Sequence, residues 1–487
     1  MMHPPSEVSP AKSRLALLGL IAVTLVVGAA SISQQSFWMD EGSAALKAIM
    51  PTFREWWKMT LELRGSDVQM PVYMATLWLW EKVAGNSEFA LRAFNLPFLV
   101  LMVVALRKVP LWPLVCLTSP FVLYYVGELR PYTMQMAGGA LAAAALAKVC
   151  QSRANHFDGL NAIFAAALFL AASSLTAAVW AGGLVLGAIV IHPYWLKSRG
   201  FWTRAAIWFS PFLALGGYYV FTLVEGYRAT GSGGGGLLSI AFGAYEIGGL
   251  LGLGPSRNEL RSSPLALVSH LPWLIPAAAI LFLAWFIGAK KWFKETPFRN
   301  RVGILCAVLV PVFLLAAVSV IADFRVLGRH LSPAIPAVLL PLACCLANAA
   351  RKPFALTVGT LAILLSITSA LSLRFQRKHA RDDYRAATRI ALQALADGKA
   401  VLWQADMSTP CYYAYRSGGV AAFHNALRLK SETPSGFMFA DIVILNRPDI
   451  GYRGQNHHQT LTQAAFVKDD SFNGFEVWSN RYSSPTR

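Results

Sequence analysis

Long apolar runs recur along this chain at short intervals, and no packing in water can hide them all. The first extends from Leu15 to about Ile32. Others run roughly from Phe89 to Leu106, Leu111 to Val126, Tyr132 to Val149, Leu160 to Leu175, Ala177 to His192 and Ala205 to Val224. Four more follow, from Leu265 to Ala289, Val302 to Ala322, Leu331 to Ala349 and Phe354 to Leu373. A helix needs about 20 apolar residues to cross a bilayer, so this pattern predicts a mainly α, polytopic membrane protein of about 11 transmembrane helices.

Composition agrees, since 55% of the residues are hydrophobic and 14% are charged, against about 25% charged in globular chains. The net charge of +18 could suggest nucleic acid. The Lys and Arg residues instead sit in short clusters between apolar runs, as the positive-inside bias places them, so no nucleic-acid partner is expected. Cys116, Cys150, Cys306, Cys344 and Cys345 lie in or beside apolar segments and only Cys411 falls in a polar stretch, a distribution unlike a disulfide framework. The Leu15 run follows Lys12 and Arg14 as a signal sequence would. No small-residue cleavage site precedes its polar exit at Ser33-Gln34-Gln35, so it reads as a retained span.

Charge fixes the orientation. The segment Val72 to Gly85 carries Trp78, Trp80, Glu81 and Lys82 and is too short to cross, so it reads as interfacial or re-entrant. Arg107-Lys108, Lys148/Arg153, Lys197/Arg199/Arg204, Lys290 to Arg301 and Arg351/Lys352 then all become cytoplasmic, together with residues 1–14. The same parity places a first loop (about 33–88), Glu128 to Tyr132, a lid loop (about 225–264), Asp323 to His330 and the tail on the non-cytoplasmic side. The membrane domain covers 15–373 and the extracytoplasmic tail 374–487. In that tail Asp382 or Asp383 can cap a helix with an apolar face of Tyr384, Ala387, Ile390, Ala391 and Leu395. Ala400 to Gln404, Asp441 to Leu445 and Phe475 to Trp478 read as strands, which predicts a small α/β domain.

Three outward clusters could carry chemistry. Phe37-Trp38-Met39-Asp40-Glu41 sets two carboxylates beside the membrane exit, where low dielectric favours proton exchange near neutral pH, or forms an ordinary interfacial aromatic with a solvated acidic pair. In Glu128-Leu129-Arg130-Pro131-Tyr132, Arg130 stands at a helix N-terminus suited to an anion, or snorkels and pairs with Glu128. In Asp323 to Pro333, Arg325 and Arg329 oppose the positive-inside trend and need compensation from a phosphate or from Asp323. The glycines from Gly231 to Gly236 formally contain GxGxxG, but no strand leads into them. A flexible lid with charge from Arg257 and Arg261 fits better than a dinucleotide site. His192, His270, His424 and His457-His458 lack ligand spacing, so no metal site is expected.

In order, Trp38-Met39-Asp40-Glu41, Ser87-Glu88-Phe89-Ala90-Leu91-Arg92, Leu129-Arg130-Pro131-Tyr132 and Gly328-Arg329-His330-Leu331-Ser332-Pro333-Ala334-Ile335-Pro336 resemble the GT-C superfamily of polyprenyl-phosphate-dependent glycosyltransferases. The branch is that of the protein O-mannosyltransferases and the lipid A aminoarabinose transferase. The likeness spans about residues 10 to 350. Where the family often shows His-Pro-Pro, this chain has Gln69-Met70-Pro71-Val72-Tyr73, so the acceptor class stays open.

The resemblance implies an inverting transfer of a sugar, mannose-like or another hexose or pentose, from a polyprenyl-phosphate donor to a protein, lipid or glycan acceptor. Asp40 is implied as general base, with Glu41 assisting. Arg130 and Arg329, then Arg92, Arg257 and His330, are implied to hold the lipid phosphate, and Glu128, Tyr132 and Tyr73 to face sugar or acceptor. Trp56, Trp57 and Trp78 could line such a groove, though interfacial Trp is more often an anchor. No cofactor is implied beyond this lipid substrate; dependence on a divalent metal stays open. The chain is expected in the plasma (inner) membrane. The rival readings are a multi-span transporter, which needs charges within the membrane core, and a catalytically inactive envelope assembly protein.

Overall fold

The apolar runs fold as helices wherever proline or a polar cap does not interrupt them. The computed structural model describes residues 10–152, 157, 159–226, 236–347, 352–427, 440–447 and 457–481. The chain opens with α1 (Pro10–Ser31), followed by α2 (Met39–Ala48), α3 (Phe53–Leu63), α4 (Pro71–Ala84), the short α5 (Glu88–Arg92) and α6 (Leu96–Ala105). Next come α7 (Trp112–Thr118), α8 (Pro120–Val126), α9 (Tyr132–Gln151), α10 (Leu160–Ser173), α11 (Leu175–Ile191) and α12 (Arg199–Val224). Then follow α13 (Leu237–Ile247), α14 (Arg257–Ser262), α15 (Leu271–Glu295), α16 (Phe298–Ile321), α17 (Ile335–Ala347) and α18 (Pro353–Phe375).

Among the described residues, eight helical segments are long and apolar enough to cross a membrane, and α10 and α11 are shorter apolar helices. The run from Leu111 to Val126 is not one helix but two. Ser119 adopts an extended conformation before Pro120 (ψ 121°), where the proline ring disfavours a helical residue and offers no N–H. Helices α12, α15, α16 and α18 leave large apolar side chains uncovered, among them Ile207, Phe282, Ile321 and Phe354, as lipid-facing surfaces require. The 14-residue α4 is shorter than those segments.

Two helices form among the described residues of the expected lid. Ser256 caps α14 through a capping box with Glu259, and α13 precedes it. The glycines at 231–235 and the basic residues Arg153 and Arg351 lie outside the described residues.

The tail begins with α19 (Tyr384–Ala396), capped by Asp383, whose carboxylate accepts from the Ala386 N–H at 3.1 Å. Strand β1 (Val401–Gln404), helix α20 (Ser408–Ala426), strand β2 (Ile442–Asn446), helix α21 (His457–Gln463) and strands β3 (Phe466–Phe472) and β4 (Phe475–Asn480) complete it. The sheet order is β1-β2-β4-β3, parallel between β1 and β2 and antiparallel elsewhere. Strand β3 escaped the sequence reading because its outward residues Lys468, Asp469 and Asp470 hide its pattern. The signal was the following Asn473-Gly474, with Gly474 at φ +81°, a two-residue hairpin turn.

One core joins this tail to the loop after α1: Phe37, Ala45 and Met74 pack in the same cluster as Tyr384, Trp403 and Tyr412. Helix α20 lies across α2 so closely that a Cβ on Gly42 would run into the Thr409 side chain. That contact fixes the helix carrying Asp40 and Glu41 against the far end of the sequence.

Candidate active site

Helix α2 starts at Met39 after an extended Trp38, so Asp40 and Glu41 occupy its first turn, where the helix dipole favours negative charge. Successive helical residues project about 100° apart, and the two carboxylates therefore part company. Asp40 turns to the rim of the site, with 26% of its side chain exposed, and meets Arg329 Nη1 at 3.3 Å. Glu41 turns inward and is fully buried.

Glu41 accepts from Arg92 Nε and Nη2, each at 2.9 Å, from the Leu129 N–H at 2.9 Å, and from Arg381. Burial alone would raise its pKa, but the charges of Arg381 and Arg92 outweigh that and hold it at about 2. Arg92 spends its remaining donors on the carbonyls of Ser33 and Gln35, at 2.9 and 2.8 Å, and lies over Phe37. The pair thus ties the membrane exit of α1 to the start of α6 and leaves Arg92 no open face.

A second buried knot lies beside it. Asp67 accepts from Lys47 Nζ at 2.6 Å, from Ser43 Oγ at 2.7 Å and from Arg130. Arg130 also reaches Ser66 Oγ at 2.6 Å and the Asp40 carbonyl at 3.3 Å. The partner of Arg130 is therefore Asp67, not Glu128. Burial opposes the Asp67 charge, yet Lys47 and Arg130 hold its pKa at about 2.

Two folded-state carboxyls at about 2, against ordinary values of 4.5 and 3.8, make a pH prediction. Depressed carboxyl pKa values contribute stability above the ordinary values and lose it as pH falls through the folded ones. The thermal midpoint should therefore change little between pH 7 and about 5 and drop steeply between about 4.5 and 2. A midpoint that stays level down to pH 3 in detergent would contradict the two knots.

Glu128 is a third buried carboxyl of different character. Neither of its oxygens has a hydrogen-bond partner among the described residues, and Arg381 Nη2 stands 3.8 Å away. Burial raises its pKa, the opposite direction from Glu41 and Asp67.

Residues of the expected lid reach the remaining side. Arg257 donates to Tyr124 Oη at 2.9 Å, Tyr125 Oη at 2.8 Å and Glu246 Oε1 at 2.7 Å, and Glu246 Oε2 accepts from the Gly328 N–H at 2.7 Å, next to Arg329. Desolvation and then the like charges of Arg257, Arg325 and Arg329 push the Arg261 pKa down. Arg257 is paired with Glu246 and Arg329 with Asp40, so the cations around Arg261 are held by carboxylates of different segments.

The structure brings Asp40, Glu41, Glu128, Arg92, Arg130, Arg257 and Arg329 together, as their shared sidedness implied. Tyr132 lies 5.8 Å from the Arg329 guanidinium. His330 is turned to local work: its Nδ1 accepts from the Leu327 N–H at 3.0 Å. Tyr73 is 1% exposed and stands behind the site, and Trp56 is core. Trp78 and Trp80 donate to the carbonyls of Met50 and Ala90, both at 2.8 Å. Lys47, Asp67 and Arg381 were missed by the sequence reading. Lys47 stands one turn beyond Ser43, a faint signal, whereas nothing local marks Asp67 or Arg381. Among the described residues, no three His, Cys, Asp or Glu side chains group to hold a metal ion.

No protein-family model matches the chain, and no curated protein matches it in sequence. Among solved structures, it superposes on ArnT from Cupriavidus metallidurans in the apo state with a TM-score of 0.56 and 13% identity, covering 98% of this chain and 100% of that one. ArnT bound to undecaprenyl phosphate matches with a TM-score of 0.52 and 13% identity, covering 97% and 99% of the two chains. The polytopic helical domain with its small C-terminal sheet is thus the fold of those structures from end to end.

Proposed function

We propose that this chain, with the ArnT fold as its premise, is a membrane glycosyltransferase that moves a sugar from a polyprenyl phosphate to an acceptor at the non-cytoplasmic face. The observation that carries the reading is the rim carboxylate Asp40, 3.3 Å from Arg329, whose neighbour Gly328 is tied through Glu246 to Arg257. The neighbour bound to undecaprenyl phosphate supports a lipid donor of this class.

Asp40 removes the acceptor's proton as the acceptor oxygen attacks the anomeric carbon from the face opposite the phosphate. The carbon–oxygen bond to phosphate breaks, the phosphate leaves with the electron pair, and the configuration inverts. Charge gathers on the departing phosphate, so cations must already be in place. Arg329 is suited to this: it pairs with Asp40, and an arriving phosphate competes for it and frees the base. Arg257 joins from the lid. Arg130 and Arg92 act through Asp67 and Glu41, fixing the helix that presents Asp40. Glu128 and Tyr132 face the sugar or acceptor.

The test is transfer by purified protein in nanodiscs offered radiolabelled undecaprenyl-phosphate sugars, scoring label that leaves the lipid. Label should leave the lipid in wild type. Arg329→Gln should cut the rate about 10²-fold or more, as loss of one group stabilising developing charge does, and should weaken binding of undecaprenyl phosphate. No release from any donor would point instead to a transporter or an inactive relative.

A further inference from the structure

Between α19 and α20, away from Arg329, lies a cleft of about 700 Å³. Its size suits a ligand of a few sugar or phosphate units, and its walls include Asp383, Arg385, Thr388, Arg389, Tyr413 and Arg416.

The charges there do not balance. The Asp383 carboxylate caps α19, accepting from the Ala386 N–H at 3.1 Å. Arg385 is engaged by Glu88, with Nη2 2.5 Å from Oε2, and donates to the Gln34 carbonyl at 2.8 Å. Arg389 and Arg416 are exposed and form no ion pair among the described residues. Between them stands a polar group of a different kind. Thr388 is 1% exposed, and its Oγ1 has no hydrogen-bond partner among the described residues. A buried hydroxyl left unmatched is costly, and a ligand oxygen would satisfy it. Two guanidinium forks and a hydroxyl donor are the recognition set for a phosphate or carboxylate.

We propose that this cleft binds an oxyanion group of the acceptor; only the naming of the acceptor as its bearer rests on the transferase reading. Two of its walls also hold the chain that leads to Asp40. The Arg385 N–H donates to Ser36 Oγ at 3.1 Å, and Tyr413 Oη accepts from the Phe37 N–H at 2.7 Å. A ligand seated there is therefore connected through Ser36-Phe37 to the helix bearing Asp40.

The experiment titrates inorganic pyrophosphate by calorimetry into the full-length protein in phosphatidylcholine nanodiscs. Wild type should show a site that weakens by at least about tenfold in Arg389→Gln/Arg416→Gln, since each guanidinium supplies a charge-assisted hydrogen bond. Thr388→Val, which keeps the side chain's shape, should weaken the same site by a smaller factor. Binding absent in wild type, or unchanged in both variants, would overturn the proposal. Repetition in discs containing phosphatidylglycerol separates the sources: competition in wild type alone makes a lipid headgroup the anion's bearer and overturns the acceptor assignment, whereas unaltered binding supports a non-membrane acceptor. No turnover is required, so this site can fail while the transferase reading stands, and loss of transfer activity would leave the cleft untouched.

Discussion

Asp40→Asn should lower sugar release from a polyprenyl-phosphate donor by about 10² to 10⁴-fold, the range that a positioned general base supplies, while leaving the protein folded. Asparagine keeps the size of the side chain and the carbonyl oxygen that faces Arg329, but it cannot take a proton from an acceptor. The Asp40 side chain is 26% exposed and its one ion pair spans 3.3 Å, so losing the charge should change stability by no more than about 1 kcal/mol. Parallel transfer assays and thermal unfolding of wild type and variant would decide this. An Asn variant that transfers sugar at the wild-type rate removes Asp40 from the mechanism; one that fails to fold shows the carboxylate to be structural.

The adjacent Glu41→Gln should show the reverse balance. Its carboxylate is buried among Arg92, Arg381 and the Leu129 N–H, and an amide leaves both guanidinium groups short of their counter-charge in a dry site. Removing one partner of a buried ion pair costs about 3 to 5 kcal/mol, which should lower the thermal midpoint by several degrees and flatten its decline below pH 4.5. Since Arg381 sits in the tail and Arg92 just before α6, the loss should also loosen the tail from the first loop, read as faster proteolysis after Arg381. An unchanged midpoint would show that the knot contributes little. Transfer by folded Glu41→Gln should persist at a reduced rate, because Glu41 acts by placing α2.

These two neighbours show what a linear reading can and cannot do. The pair Asp40-Glu41 stood out as a candidate because two carboxylates after an apolar run are costly without a reason, and the fold class was legible from the length and spacing of the apolar runs. Their division of labour was not legible, since it depends on the 100° turn between successive helical residues and on which side of α2 meets α20.

The partners of the cations followed the same rule. From the sequence, Glu128 was the obvious neighbour for Arg130 and Asp323 for Arg329, but proximity along the chain is a poor guide where loops from several helices converge. Asp67 takes Arg130, Asp40 takes Arg329, and Glu128 keeps two oxygens without hydrogen bonds among the described residues. Asp67 had no local mark because its environment is assembled from Lys47 on α2 and Arg130 in the bend before α9, both distant in sequence.

The sequence by itself determined that this chain is built of bilayer-length helices, which connecting segments carry charge, and where the tail changes to an α/β pattern. Each follows from local hydrophobicity and from the energy of placing charge in lipid, which are properties of short stretches. Only the tertiary structure decided that the tail packs its core with the first loop, that Arg381 returns to Glu41, and that Arg389, Arg416 and Thr388 share one cleft. Those outcomes depend on close approaches between distant segments, such as Gly42 against Thr409, and on charges whose partners are chosen by burial in three dimensions.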